Sequence, residues 1–182
     1  MRLCVPNMMA ATVQGIDLET LRARGIEALL LDLDNTLVPW RSRQPRDEVL
    51  AWVQRVRDAG FRLCIVSNAG RAGRVEAVAR QMGIPFLVRA VKPRRRALRQ
   101  AAALLGVDPA RTAVVGDQLF TDVLGGNRAG MFTVLVAPIN SGHEFLSTRV
   151  MRRLERLLWR RIEAARGDTG NGVPPPTLGG QP

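Results

Sequence analysis

Apolar residues follow two rhythms between residues 28 and 136. Unbroken runs occur at 28–33 (ALLLDL), 61–67 (FRLCIVS), 112–116 (TAVVG) and 132–136. They are too short for helices, and Gly or polar residues bound them, so they predict strands buried on both faces. A shorter run at 84–88 predicts one more strand. Between these runs apolar residues recur at helical spacing, as with Val49, Leu50, Trp52, Val53 and Val56 within 45–59. Pro45 opens that helix and Gly60 closes it. Further helices are predicted over 71–82, closed by Gly83, from Pro93 to Gly106, and over 119–129 with Gly130 as the stop. Strands alternating with helices in this way imply a parallel sheet covered on both sides. The expected fold class is therefore α/β, a Rossmann-like three-layer α/β/α sandwich with a five-stranded, mostly parallel sheet.

The two ends of the chain lie outside that alternation. Residues 1–27 predict an extension packing on the core, with a short helix that Asp17 caps and Gly25 stops. The core itself is expected over 28–147 and a basic amphipathic helix over 148–166. In that helix Val150, Met151, Leu154, Leu157, Leu158 and Ile162 share one side, and seven Arg face only Glu155 and Glu163. With Trp159 alongside, it suits an anionic lipid surface as well as it suits packing on the domain. The Gly/Pro-rich segment 167–182 reads as a disordered tail.

Composition adds a question about charge. A chain of 182 residues, 46% apolar, buries a sufficient core as one domain. Its net charge of +11 is unusual, and all but one of its 27 basic residues are Arg; the single Lys is Lys92. Such a charge calls for an anionic partner: a phosphorylated substrate, a phospholipid surface or nucleic acid. Nucleic acid is disfavoured, because aromatics are scarce and Tyr is absent, leaving little to stack on bases. Cys4 and Cys64 have no metal-ligand spacing and read as reduced thiols. No run resembles a signal peptide or a membrane span. A cytoplasmic location is expected, compatible with a peripheral position on the inner face of a membrane.

In an open parallel sheet the ligand sits beyond the carboxyl ends of the strands. Those ends carry Asp32, Asp34 and Thr36, then Ser67 and Asn68, then Lys92, then Asp117 and Asp122. Four of only 16 acids converge there. Crowded carboxylates repel one another unless a cation or proton intervenes, and this set suits Mg²⁺ beside a phosphoryl group. Taken singly, several of these residues have plainer readings. Asp32 and Asp34 could form a turn, Ser67–Asn68 could cap a helix, and Asp117 and Asp122 could be a cap and a solvated position. His143 sits outside the alternation and has no assigned role, and Trp40 reads as packing ahead of substrate contact.

Taken together, DLDNT at 32–36, VSN at 66–68, VKP at 91–93 and GDQLFTD at 116–122 resemble the four ordered motifs of the haloacid dehalogenase superfamily. The flanking text RGIEALLLDLDNTLVPW and VVGDQLFTDVLGGNRAGMFTVLV is similar to the YqeG-type subfamily IIIA phosphatases, relatives of phosphatidylglycerophosphate phosphatases. The resemblance implies an Mg²⁺-dependent phosphomonoester hydrolase acting through an aspartyl-phosphate. It makes Asp32 the nucleophile, Asp34 the general acid and then base, and Lys92 the charge-neutralising cation. It gives Thr36, Ser67 and Asn68 the phosphoryl oxygens. It assigns the metal to Asp32, the Asp34 carbonyl and Asp117, with Asp122 holding the ion through water or orienting Lys92.

Each gap between the first three motifs has room for one helix and one strand, which leaves no cap domain. The site is expected to be open, and suited to phosphate presented on a lipid headgroup or another large anion. Arg41, Arg43, Arg46, Arg71, Arg74, Arg89, Arg94, Arg95, Arg96 and Arg99 flank the motifs, as a positive rim or simply as a solvated face. Two other function classes fit these residues less well. A phosphorelay receiver domain would need an isolated acceptor Asp on a middle strand, where this chain has Ser67–Asn68. A basic RNA-, ribosome- or membrane-binding module with a vestigial site is disfavoured by acids at every motif position.

Overall fold

A computed structural model describes residues 2–140 of the chain. The predicted helix 148–166, the tail 167–182 and His143 lie outside the described residues. The strands are β1 (Met8–Ala10), β2 (Ala28–Leu31), β3 (Arg62–Val66), β4 (Phe86–Leu87), β5 (Thr112–Gly116) and β6 (Phe132–Val136). They form one sheet in the order β1-β6-β5-β2-β3-β4, with every pairing parallel. The sheet thus has six strands where the sequence pattern predicts five. The sixth, β1, is three residues long and pairs with β6 in the register Met8 with Val134.

Strand alternation sends successive side chains to opposite faces. Leu29, Leu31, Leu63, Ile65, Ala113 and Val115 join one apolar cluster, with α1 (Leu18–Ala23), α2 (Asp47–Asp58) and α3 (Ala72–Met82) supplying Leu21, Trp52, Val56, Val75 and Met82. Leu30, Cys64, Val66 and Val114 point the other way, against Leu98, Ala101 and Ala102 of α4 (Arg95–Leu104) and Ala129 of α5 (Leu124–Ala129). This is the three-layer sandwich the alternating pattern predicts. Asp17 caps α1, accepting from the N–H groups of Glu19 and Thr20 at 3.0 and 3.1 Å. Gly83 and Gly130 close α3 and α5 in left-handed conformations.

From β2 the chain steps outward through β3 and β4 on one side, then returns to β5 and β6 on the other, where the N-terminal β1 forms the edge. The order reverses between β2 and β5, which opens a crevice at their carboxyl ends. Single helices link β2 to β3 and β3 to β4, so no cap is inserted between these strands.

The segment predicted as one helix over 119–129 is instead two pieces. Leu119–Val123 is a π-helical turn, and α5 follows it. The wider turn lets the Val123 N–H reach the Gln118 carbonyl at 3.3 Å, and it folds Asp122 back over the end of β5. Such turns are rare and are frequently found at functional sites.

Candidate active site

The reversal point places the polar strand ends together. The Asp32 N–H extends the ladder beyond β2 to the Val115 carbonyl at 2.9 Å, so its side chain starts from a fixed backbone. Residues 33–38 then turn tightly: the N–H groups of Leu37 and Val38 both reach the Leu33 carbonyl, at 3.0 and 3.1 Å. Asn35 takes a left-handed conformation (φ 61°) within that turn, and its N–H reaches the Val38 carbonyl at 2.8 Å.

Lys92 is the centre of the site. Its Nζ donates to Asp32 Oδ1 and to Asp122 Oδ1, each at 2.6 Å, and its side chain is only 2% exposed. Asn68 pins the Lys92 backbone, accepting its N–H at 2.8 Å and donating to its carbonyl at 3.4 Å. The side chain expected to contact phosphoryl oxygens thus anchors the loop that carries Lys92, while also lining the cleft described below. Asp122 Oδ2 accepts the Gln118 N–H at 3.2 Å, and its carboxylate lies over Gly116. Carboxylate oxygens of Asp32, Asp117 and Asp122 lie within 4.8 Å of one another, all three residues buried.

Electrostatics follow from that packing. Burial pushes the Asp32 carboxyl up to about 7; Lys92 pulls the other way, and Asp122 and Asp34 add to the rise. Burial also works against the charged Lys92, but the attraction of Asp122 and Asp32 wins and holds its pKa above the ordinary ammonium range. Three carboxylates and one ammonium carry a formal charge of −2. Buried, close-set, hard oxygen donors with that deficit fit a divalent cation such as Mg²⁺. Asp34, whose side chain the family resemblance does not count as a ligand, stands apart from the trio. Thr36 is buried and donates to Asp117 Oδ1 at 3.4 Å; it does not line the cleft. Ser67 is buried at the cleft wall and its Oγ accepts the Ala69 N–H at 3.1 Å.

An open cleft of about 930 Å³ meets this cluster at Asp32. Asp32, Asp34, Ser67 and Asn68 line it, with Arg41, Arg43, Arg71 and Arg74 as basic lining residues. Trp40, read from sequence as packing, is 39% exposed and lines the same cleft, with the Arg41 guanidinium 5.9 Å from its ring centre. The turn after the first motif carries the indole outward, which apolarity alone does not reveal. Two contacts at the site escaped sequence reasoning. Arg74, which lines the cleft with the other arginines, also pairs with Asp34, and Gly116 makes room for Asp122. Both arise only in the fold.

Comparison with known proteins agrees with this geometry. A sequence model of the haloacid dehalogenase-like hydrolases matches residues 13–130. The probable phosphatase YqeG of Bacillus subtilis is 36% identical over 152 residues, covering 84% of this chain and 87% of that protein. Phosphatidylglycerophosphate phosphatase 1 of Arabidopsis thaliana is 27% identical over 86% of this chain, which spans 47% of that longer protein. Among solved structures, the cobalt-bound deoxy-D-mannose-octulosonate 8-phosphate phosphatase of Haemophilus influenzae superposes with a TM-score of 0.51 at 18% identity. That match covers 64% of this chain and 72% of that one, and it shows a shared fold.

Proposed function

This chain belongs to the haloacid dehalogenase-like hydrolases, and from that premise we propose that it hydrolyses phosphate monoesters through an aspartyl-phosphate on Asp32. The observation that carries the reading is Lys92 Nζ held 2.6 Å from both Asp32 and Asp122, beside Asp117, at the strand-order reversal. Lys92 takes Oδ1 of Asp32 and leaves Oδ2 for attack. As Oδ2 bonds to phosphorus, the ester P–O bond breaks, and its electron pair goes to the leaving oxygen, which takes a proton from Asp34. Water then gives a proton to Asp34 and bonds to phosphorus, and the bond to Asp32 breaks, restoring the carboxylate.

Asp32, Asp117 and the Asp34 carbonyl would hold Mg²⁺, with Asp122 bound to Lys92 and supporting the ion. Once bound, the ion offsets negative charge on the phosphoryl oxygens. Ser67 contacts phosphoryl oxygens from the cleft wall. Thr36 orients Asp117, and Asn68 fixes the Lys92 loop. Carboxylates meeting a dianion need compensating charge, and a fixed ammonium buried away from water supplies more of it than one in water.

The substrate reading is a lipid phosphate, with phosphatidylglycerophosphate as the leading candidate. The uncapped cleft, its basic lining and the plant relative's named activity support it. Peripheral contact with an anionic membrane through 148–166 belongs to the same reading. The test measures phosphate release from p-nitrophenyl phosphate and from phosphatidylglycerophosphate in vesicles, with Mg²⁺ and with chelator. Both activities should require Mg²⁺ and fall at least ~10³-fold in Asp32→Asn. Activity indifferent to chelator sinks the metal role, and hydrolysis of soluble esters with none of the lipid sinks the substrate.

A further inference from the structure

The sequence places Arg74 three residues into α3, among arginines that read as a rim. The structure turns it inward, half-buried at the cleft wall. Its Nη2 donates to Asp34 Oδ2 at 2.5 Å, the two side chains being 16% and 14% exposed. Its Nη1 donates to the Ser42 carbonyl at 3.3 Å. One guanidinium therefore ties the Asp34 carboxylate to the loop after the first motif. The other carboxylate oxygen, Oδ1, is buried with no hydrogen-bond partner. A carboxylate gripped through one oxygen, on a residue that lines the cleft, is held in one orientation for giving or taking a proton.

Resting on the hydrolase reading above, we infer that Arg74 is a positioning residue. It fixes the Asp34 carboxylate through Oδ2 and the Ser42 carbonyl, and so sets the orientation from which Asp34 protonates the leaving oxygen and later takes the proton from water. A planar fork with two donors bridges two acceptors in a way one ammonium does not. The same helix braces the loop a second time, where Gln81 Nε2 donates to the Arg43 carbonyl at 3.0 Å without touching Asp34. Gln81 therefore separates bracing of the loop from orientation of the acid.

The test uses ring-substituted phenyl phosphates that differ in leaving-group basicity. The value kcat/KM reports only steps through the first P–O cleavage, where a misplaced acid hurts poor leaving groups most. In the wild type, log kcat/KM should depend weakly on leaving-group pKa. Arg74→Ala should lose about tenfold with p-nitrophenyl phosphate and about 10²–10³-fold with phenyl phosphate, giving a steep slope. Gln81→Ala should keep the shallow slope. Arg74→Lys should recover part of the rate for the good leaving group and keep the steep slope, and it carries the test if the alanine variant does not fold. An even loss across the series in Arg74→Ala overturns the inference, and so does full recovery by Arg74→Lys. Asp34→Asn separates the two levels. If it steepens the slope while Arg74→Ala does not, the positioning role alone fails. If it leaves the slope shallow, the acid assignment of the hydrolase reading fails.

Discussion

At Gly116 an added Cβ would lie 2.2 Å from Oδ2 and 2.3 Å from Cγ of Asp122. Asp122 is buried and fixed by Lys92 and the Gln118 N–H, so the carboxylate rather than the backbone has to yield. Gly116→Ala is therefore expected to cost about 1–3 kcal/mol in urea denaturation, the range of an overpacked core. It should also lower kcat/KM well beyond that loss of folded protein, because Lys92 loses one of its two anchors. Stability lost with activity intact would contradict this. Lys92 itself was legible in the sequence, because one lysine among arginines falls within the third motif. A compact ammonium fits between two carboxylates where a broad guanidinium does not. Gly116 and Arg74 were not legible. Their importance lies in contacts with Asp122 and Asp34, at sequence separations of six and forty residues, and no local pattern encodes which arginine turns inward.

Among the elements, the edge strand β1 depends on side chains more than on length. Asn7 Oδ1 accepts both the N–H and the hydroxyl of Thr133 at 2.9 Å, and Asn127 Nδ2 donates to the carbonyls of Leu3 and Val5 at 2.8 and 3.0 Å. Thr133 is fully buried, so removing its partner strands a polar group. Asn7→Ala should destabilise the fold by about 1–2 kcal/mol. Hydrogen exchange should quicken at 8–10 and 132–134 and stay slow in β2. Equal acceleration throughout the sheet would contradict a local role. The sequence revealed the longer strands and the helices because buried runs and helical periodicity produce distinct patterns. Met8–Ala10 was too short to produce one. The π-helical turn at Leu119–Val123 has the same apolar spacing as an α-helix, and only the return of Asp122 toward Gln118 distinguishes it.

For the molecule as a whole, the fold class, the open site and the grouping of the acids were legible, since strand order and motif order together fix which ends converge. The net charge of +11 was legible as a quantity but not in its distribution. Lys92 sits inside the acid cluster, Arg74 is half-buried against Asp34 at the cleft wall, and Arg41, Arg43 and Arg71 line the rest of the cleft. Lining of that kind, with Trp40 alongside, suits an anionic substrate too large to be enclosed. The proposed hydrolysis rests on one chemical event, transfer of the phosphoryl group to Asp32. The most direct measurement is acid quenching of enzyme turning over a radiolabelled phosphate ester with Mg²⁺, followed by peptide mapping. The expected result is label on the peptide containing Asp32, absent in Asp32→Asn and longer-lived in Asp34→Asn, which lacks the base for the second step. Label on another residue, or turnover by the wild type with no protein-bound phosphoryl group at any quench time, would contradict it.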